Sequence, residues 1–202
     1  EVILCNSKEA NICEYAGDIK NASKTLLYLV NDVLDLSKIQ AGKMEIVPVE
    51  YETEDLVRNV GNVIRLMVQD KSLAYEVNIA KDVPKRLFGD EIRIAQVLTN
   101  LLTNAVKYTD QGKVTLTLNA VKDLKGMEAI EYIVEDTGCG IKPEDMDKLF
   151  DSYERVNLER NRRVEGTGLG MGIVTGLLEA MNSKLNVESQ YGKGSRFSFV
   201  LA

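Results

Sequence analysis

The chain has 202 residues, of which 45% are hydrophobic, and a net charge of −6. This length suffices for one domain with an appendage, and an acidic chain without an evident basic face is not expected to bind nucleic acid. No apolar run reaches the roughly 18 residues of a membrane span, and no signal-peptide pattern is present. Three cysteines without CxxC spacing argue against a disulfide framework or a zinc site. We therefore expect a cytoplasmic chain without membrane contact of its own, although a longer parent protein anchored in an inner membrane would be compatible with it.

The first forty residues predict one long helix. Asn6 or Ser7 can cap it, and we expect it to run to about Gln40 and to end near Gly42. Apolar or small residues recur at alternating steps of four and three, as in the seam of a helical bundle: Ile12, Ala16, Ile19, Ser23, Leu26, Val30, Val33 and Ser37. Such a seam favours a partner helix, and packing on the chain's own domain is the alternative. We therefore divide the chain into a partial dimerisation region, residues 1–42, and a domain, residues 43–202.

The remainder mixes strands and helices. Alternation predicts strands over 44–51, 75–80, 113–121 and 128–135, and two more around a turn at 191–194. Amphipathic spacing predicts helices over 54–71, 90–107 and 169–181, with a short helix from Pro143 to near Phe150. The charged stretch 152–165 has no period and is predicted to be a loop. The order of elements indicates an α+β fold, a two-layer sandwich in which helices cover a mixed sheet.

Three patterns can carry chemistry. Asn100, Asn104 and Lys107 are four and three residues apart, so they share one helix face that suits a divalent cation and phosphates. The run 136–140, Asp-Thr-Gly-Cys-Gly, places an acid and two glycines after a strand, where a flat ligand can approach the backbone. The run 166–172, Gly-Thr-Gly-Leu-Gly-Met-Gly, precedes and opens a helix, which is typical of an anion site.

The order of these patterns resembles the ATP-binding domain of bacterial sensor histidine kinases, in the superfamily that includes gyrase, heat-shock chaperones and mismatch-repair proteins. Residues 96–109 resemble the asparagine box of that family, residues 149–155 its phenylalanine box, and residues 29–43 its second dimerisation helix. One departure is Met171-Gly172, where Leu-Ala is more usual. The resemblance covers nearly the whole chain and implies a Bergerat-type ATP-binding fold.

The resemblance also implies ligands and roles. ATP or ADP and Mg²⁺ would bind here, with Asn104 as metal ligand and Asn100 supporting it. Lys107 and Arg155 would act on the phosphates as catalytic residues, and Asp136 would bind the adenine amino group. The remaining residues expected around the nucleotide are Tyr108, Gly138, Gly140, Gly166, Thr167, Gly168, Leu169, Gly170 and Ser195. We expect residues 151–165 to be a lid over it.

The implied activity is transfer of the ATP γ-phosphate to a histidine on a first dimerisation helix, and from there to an aspartate of a response-regulator receiver domain, within a homodimer. The sequence contains no histidine, so the acceptor would lie elsewhere. Gyrase-like hydrolases carry a glutamate where this chain has Asn100, and a carboxamide cannot act as the base. The alternatives are a degenerate kinase that serves as a dimerisation and docking module without turnover, and a serine kinase of the anti-sigma type, which lacks the long helix.

Overall fold

The computed structural model describes residues 10–122, 126–146, 149 and 168–202. Four helices lie in these ranges: α1 (Ala10–Gln40), α2 (Thr53–Asp70), α3 (Glu91–Tyr108) and α4 (Gly170–Ala180). The strands are β1 (Val49–Glu52), β2 (Ala74–Ile79), β3 (Arg86–Gly89), β4 (Lys113–Lys122), β5 (Glu128–Asp136), β6 (Asn186–Gln190) and β7 (Gly194–Leu201), and a 3₁₀ turn covers Pro143–Asp145. No helix in the described part of the chain is long and apolar enough to cross a membrane.

The five-stranded sheet has the order β2-β4-β5-β7-β6. β2 runs parallel to β4, whereas the three other pairs are antiparallel, so the sheet is mixed as the sequence predicts. The register pairs Asp136, the last residue of β5, with Ser195 near the start of β7. This pairing brings the acid of the 136–140 run beside the turn that joins the last two strands.

Helices α2, α3 and α4 bury their apolar sides against the sheet. Leu98, Leu101 and Leu102 of α3 are fully buried, as are Ile173 and Leu177 of α4. They form one continuous core with strand residues that include Leu116 and Phe199. The predicted two-layer sandwich of helices on a mixed sheet is confirmed.

Helix α1 ends where the sequence predicts. Gly42 has φ +63°, and its N–H donates to the carbonyl of Ile39 while that of Lys43 donates to Lys38, so the helix closes with a left-handed glycine cap. Leu36 and Ile39 pack on the domain. The seam before them is exposed: Ile19 keeps 67% and Leu26 61% of its accessible surface. The candidate caps Asn6 and Ser7 lie outside the described residues.

Three elements differ from the prediction. Where a short helix was predicted from Pro143 to near Phe150, the described residues show a 3₁₀ turn over Pro143–Asp145. The strand predicted over 44–51 is confined to Val49–Glu52, because residues 43–48 follow the helix cap in irregular backbone and Val47 donates its N–H to Asp90 rather than to a strand. The sequence analysis also missed β3, whose four residues pair with β1 in a two-stranded ribbon. Pro84 and the glycine at its end make this segment resemble a loop in the sequence.

Candidate functional site

Helix α3 is fixed at both ends. Asp90 caps its first turn, since Oδ1 accepts the N–H of Arg93 at 3.1 Å. At the other end Nζ of Lys71 donates to the carbonyls of Val106 and Lys107, at 2.9 Å each. These carbonyls belong to the last turn, where the helix has no N–H donors of its own for them. Sequence analysis missed Lys71, because it lies 35 residues away from the turn that it caps.

The asparagine face of α3 meets the start of α4. Nδ2 of Asn104 contacts Sδ of Met171 at 3.7 Å, which leaves the amide oxygen of Asn104 available to a ligand. A Cβ placed on Gly170 would lie 3.6 Å from Oδ1 of Asn100. The start of α4 and the asparagine pair are therefore neighbours, as the family resemblance implies. Met171, a departure from the family pattern, is thus a contact of Asn104.

Lys107 and Tyr108 close the same end of the site. Nζ of Lys107 lies 5.0 Å from the centre of the Tyr108 ring, and both side chains are half-buried. The Tyr108 carbonyl accepts the N–H of Cys139 at 3.1 Å. The end of α3 is therefore tied directly to the Asp-Thr-Gly-Cys-Gly turn.

Asp136 is the buried acid of the site, with 9% of its surface exposed. Burial raises the pKa of its carboxyl above the ordinary value, an effect opposed by hydrogen bonds from the backbone N–H groups of Gly138 and Ser195. The Gly138 bond is 2.8 Å long, to Oδ1. In the part of the chain that the structure describes, the donors to this carboxyl are backbone N–H groups, which makes it a suitable acceptor for a ligand amino group.

The turn after Asp136 packs too closely for side chains. A Cβ on Gly138 would approach the Tyr108 carbonyl oxygen to 2.3 Å. Gly140 has φ +64°, and a Cβ there would lie 2.2 Å from the carbonyl oxygen of Gln190. The glycines therefore hold the turn between α3 and the β6–β7 connection.

Ser195 makes its contact through a residue that sequence analysis missed. Its Oγ lies 3.0 Å from Oγ of Ser189, which donates its own hydrogen to the carbonyl of Gly194. Ser195 must then donate to Ser189, so its remaining lone pairs can only accept from a ligand. Ser189 also accepts the N–H of Ile141 at 2.8 Å. An isolated serine in an edge strand carries no sequence signal for this role.

Of the remaining predicted site residues, Gly168 adopts φ +75° and Leu169 is buried before α4 begins. Arg155, Gly166, Thr167 and the predicted lid over 151–165 lie outside the described residues. Within the described ranges no cluster of three or more His, Cys, Asp or Glu could hold a metal. A cation here would depend on amide oxygen and on ligand phosphates.

A large cavity of about 1020 Å³ lies elsewhere. It is lined by Tyr51, Leu87 and Tyr132, together with Lys122 and Glu128 at the end of β4 and β5 opposite to Asp136. None of the residues of the asparagine, aspartate or glycine runs lines it. The candidate site is the place where α3 meets the Asp-Thr-Gly-Cys-Gly turn and the start of α4, and this cavity is separate from it.

An asparagine face, a buried acid on the sheet and a glycine-opened helix together define an ATP-binding α+β domain. Residues 89–202 match the model of the histidine kinase-, DNA gyrase B- and HSP90-like ATPase family. The chain belongs to this family.

Similar proteins extend the comparison beyond the domain. Hybrid signal transduction histidine kinase L of Dictyostelium discoideum is 37% identical over 205 residues, which cover 100% of this chain and 12% of that protein. The sensory/regulatory protein RpfC of Xanthomonas campestris pv. campestris is 35% identical over 202 residues, 100% of this chain and 28% of RpfC. The chain thus spans a small part of these relatives, which come from an amoeba as well as a bacterium.

Solved structures agree with the fold. Full-length ShkA in complex with AMPPNP superposes with a TM-score of 0.80 at 28% identity, over 98% of this chain and 40% of that one. The catalytic domain of the histidine kinase ThkA has a TM-score of 0.62 at 25% identity, over 78% and 97% of the two chains. The first match includes the long helix as well as the domain.

Proposed function

We propose that this chain is the ATP-binding and phosphoryl-donating part of a two-component sensor histidine kinase. The proposal rests on one observation: Asn100 and Asn104 contact the first residues of α4, while the end of α3 is tied to the turn that follows buried Asp136. An adenine amino group would bind Asp136, and the phosphates would lie between α3 and the glycine run. The names of the similar kinases and the AMPPNP held by ShkA support this assignment.

Mg²⁺ fits the donor set at the asparagine face. The amide oxygen of Asn104 is not used by its contact with Met171, and a hard oxygen of this kind suits Mg²⁺ together with phosphates and water. When bound, the ion would neutralise phosphate charge. Lys107 would add a cation on the same face, and we assign the terminal phosphate to Arg155 in addition.

Transfer of the γ-phosphoryl group to an imidazole fits this site better than hydrolysis of ATP. Asn100 lies where it would face the phosphates, against Gly170, and its carboxamide cannot take a proton from water. A neutral imidazole needs no such base, because its ring nitrogen is already nucleophilic, so positioning and charge neutralisation are the main terms. The residues retained at the asparagine face, the acid and the glycine run do not favour the degenerate docking module.

The partners follow from the proposed function. The exposed seam of α1 would pair with a second copy in a homodimer of the parent protein, and a histidine outside this sequence would accept the phosphoryl group. A response-regulator receiver domain would then receive it on an aspartate. We place the chain on the cytoplasmic side of its cell, without nucleic acid as a ligand.

The test is calorimetric titration of the chain with AMPPNP, with and without Mg²⁺, using Asn104→Ala and a control, Asn119→Ala. Nδ2 of Asn119 donates a hydrogen bond to Glu131 on the neighbouring strand, and Asn119 is not part of the asparagine face of α3. We expect Mg²⁺-enhanced binding in the parent chain and the control, and loss of the Mg²⁺ enhancement in Asn104→Ala. Equal Mg²⁺ dependence in both variants would remove Asn104 from the metal site, and no binding by the parent chain would refute the proposed function.

A further inference from the structure

A polar cluster joins the last turns of α1 to the first turns of α3. Oδ2 of Asp35 accepts hydrogen bonds from Nε2 of Gln96 at 2.8 Å and from Nη1 of Arg93 at 3.1 Å. Nη1 of Arg93 also donates to Oε1 of Gln96 at 2.9 Å. The ion pair is largely shielded from water, with 13% of the Asp35 and 21% of the Arg93 side chain exposed. Partial burial and three shared hydrogen bonds set this pair apart from an ordinary surface ion pair.

The same helix turns are held from a second side. A Cβ placed on Gly176 of α4 would lie 2.3 Å from Cγ2 of Ile39, so the two helices touch with no room for a methyl group. Leu36, one residue after Asp35, is 4% exposed in the same interface. Polar contacts to α3 and apolar contacts to α4 therefore dock the C-terminal turns of α1.

Each of the three helices contacts the other two, and the contact between α3 and α4 is part of the candidate site. α1 contacts α3 through Asp35, α1 contacts α4 through Ile39, and α3 contacts α4 through Asn100 and Asn104. Gln96 and Asn100 are four residues apart, so they lie one above the other on one face of α3. A ligand between α3 and α4 thus acts on two of the helices that receive α1.

A short connection without regular secondary structure follows the docked turns. Gly42 has φ +63° with open space around it, and residues 43–48 have no regular structure. Val47 then attaches the chain to the domain, because its N–H donates to Oδ2 of Asp90 at 2.9 Å, next to the start of α3. If the contacts of Asp35 and Ile39 open, rotation can occur at Gly42, ahead of Met44, which packs against the core.

We propose that Asp35, Arg93 and Gln96 form a latch that fixes the nucleotide-binding domain on α1, and that latch closure and nucleotide binding are coupled through α3 and α4. The coupling, but not the latch, rests on the proposed function. A nucleotide that holds α3 and α4 together stabilises the surface on which α1 docks. By reciprocity, a closed latch strengthens nucleotide binding by the same factor. Asp35 is a positioning residue, because it contacts Gln96 and not the ligand.

The latch is tested by the distance between α1 and the domain. Spin labels at exposed Ala22 and Lys184 are placed in the full chain with its three cysteines replaced by serine, diluted with unlabelled chain so that only distances within one chain are measured. Asp35→Ala removes the shared acceptor on a helix that favours alanine, and Asp18→Ala is the control at an exposed position of the same helix. We expect one narrow distance distribution in the parent chain and the control, and an additional, separate population in Asp35→Ala.

A second variant keeps the test independent of the polar cluster. Gly176→Ala leaves Asp35 intact but forces Ile39 away, and it is expected to produce the same additional population. Distributions identical to that of the parent chain in both variants would overturn the latch. A change in Gly176→Ala alone would also overturn it, because Asp35 would then contribute nothing to docking.

The coupling is tested by titrating the same variants with AMPPNP and Mg²⁺. Asp35→Ala is expected to bind about 5-fold more weakly or worse, the lower end of usual coupling energies, whereas Asp18→Ala binds as the parent does. Unchanged affinity in a variant whose distance distribution has changed would overturn the coupling and leave the latch. No binding by the parent chain would instead refute the proposed function, while the distance measurement would still decide on the latch.

Discussion

The backbone N–H of Gly138 donates a 2.8 Å hydrogen bond to Oδ1 of Asp136, the last residue of β5. Ser195 supplies a second backbone donor, and a carboxylate can accept about four hydrogen bonds. The acid therefore keeps acceptor capacity for a ligand amino group, although it is buried. Its two neighbours hold the carboxyl in place without neutralising it.

Asp136→Asn should weaken nucleotide binding by about 1–3 kcal/mol, the usual cost of replacing a charge-assisted hydrogen bond that leaves a polar group poorly paired. The control is Glu135→Gln, which removes the same charge from the exposed residue next to Asp136. Calorimetric titration with ADP measures both. Equal affinities for the two variants would show that Asp136 does not contact the adenine.

The titration of Asp136 should also contribute to the pH dependence of the free energy of unfolding. Burial raises the pKa of Asp136 above its ordinary value, so the folded state holds the proton at a pH where the unfolded chain has released it. Between the ordinary and the raised pKa this group makes the free energy of unfolding fall as pH rises. In Asp136→Asn the free energy of unfolding does not decrease in this way, so the variant should be more stable than the parent chain at a pH above the raised pKa.

Thermal unfolding of both chains across the acidic range checks this sign. Other carboxyls titrate in both chains, so the difference between the two curves isolates Asp136. A difference that does not change with pH, or one that grows as pH falls, would contradict the raised pKa. Nucleotide binding should respond in the opposite sense, weakening as pH falls through the raised pKa, because protonation removes the negative acceptor.

The turn between β6 and β7 contains two glycines that are required for different reasons, one for its backbone conformation alone and the other also for close packing. Gly192 and Gly194 both have positive φ, at +84° and +116°, yet a Cβ on Gly192 meets nothing within 4 Å. A Cβ on Gly194 would lie 1.9 Å from the carbonyl oxygen of Asp136. Gly192→Ala should cost about 1–2 kcal/mol of unfolding free energy from conformation alone.

Gly194→Ala should cost clearly more than Gly192→Ala, because it must also displace the end of β5. It should in addition weaken nucleotide binding, since the displaced residue is Asp136, whereas Gly192→Ala should leave affinity unchanged. Chemical denaturation and calorimetry on the two variants test this. If both variants lose the same stability and neither loses affinity, the close approach of Gly194 to Asp136 is not important for the site.

The sequence predicted those parts of the fold in which one periodic segment determines its own structure. The helix around Asn100 and the strand that ends at Asp136 lie within one or two residues of their predicted bounds. Both have strong apolar periodicity, and glycines follow the strand. The meeting of Asn104 with the start of α4 was implied by family resemblance, because 67 residues separate Asn104 from Met171 and no local signal connects them.

What the sequence did not predict depends on contacts between distant segments. The strand β3 exists because it pairs with β1, and its four residues have too little pattern to be recognised alone. Lys71, Ser189 and the Asp35–Arg93–Gln96 cluster are polar residues whose roles appear only when their partners are brought together. A charged residue on an amphipathic helix is ordinarily expected to face water.

The exposed seam of α1 should mediate self-association. Leu26 keeps 61% and Leu27 63% of its surface exposed, but only Leu26 belongs to the predicted seam. Burial of each apolar side chain contributes roughly 1.5–3 kcal/mol, so Leu26→Lys should shift the chain towards monomer. Leu27→Lys, equal in exposure and chemistry, is the control and should not.

Light scattering over a concentration series measures the effect. A parent chain that is monomeric throughout would contradict dimerisation by this segment. Equal dissociation by the two variants would show that the association does not follow the seam.

The chain alone should form no phosphohistidine, because its sequence contains no histidine. Serine hydroxyls on the seam of α1, such as that of Ser37, would need a base to react. Supplied with a separate polypeptide that carries a histidine on a dimerisation helix, the chain should transfer phosphate to it slowly. Transfer remains feasible because it depends mainly on the geometry around ATP, and it is slow because no tether concentrates the acceptor.

Incubation with labelled ATP, alone and with that polypeptide, tests both halves. The same polypeptide with its histidine replaced by glutamine is the control for unspecific labelling. Acid-labile phosphate on the chain alone would show that a side chain other than histidine accepts the phosphoryl group, because the chain contains no histidine. Failure to label the added helix, with ATP demonstrably bound, would favour the docking module over the kinase, because an occupied site that cannot donate its phosphate to a nucleophilic imidazole does not perform transfer.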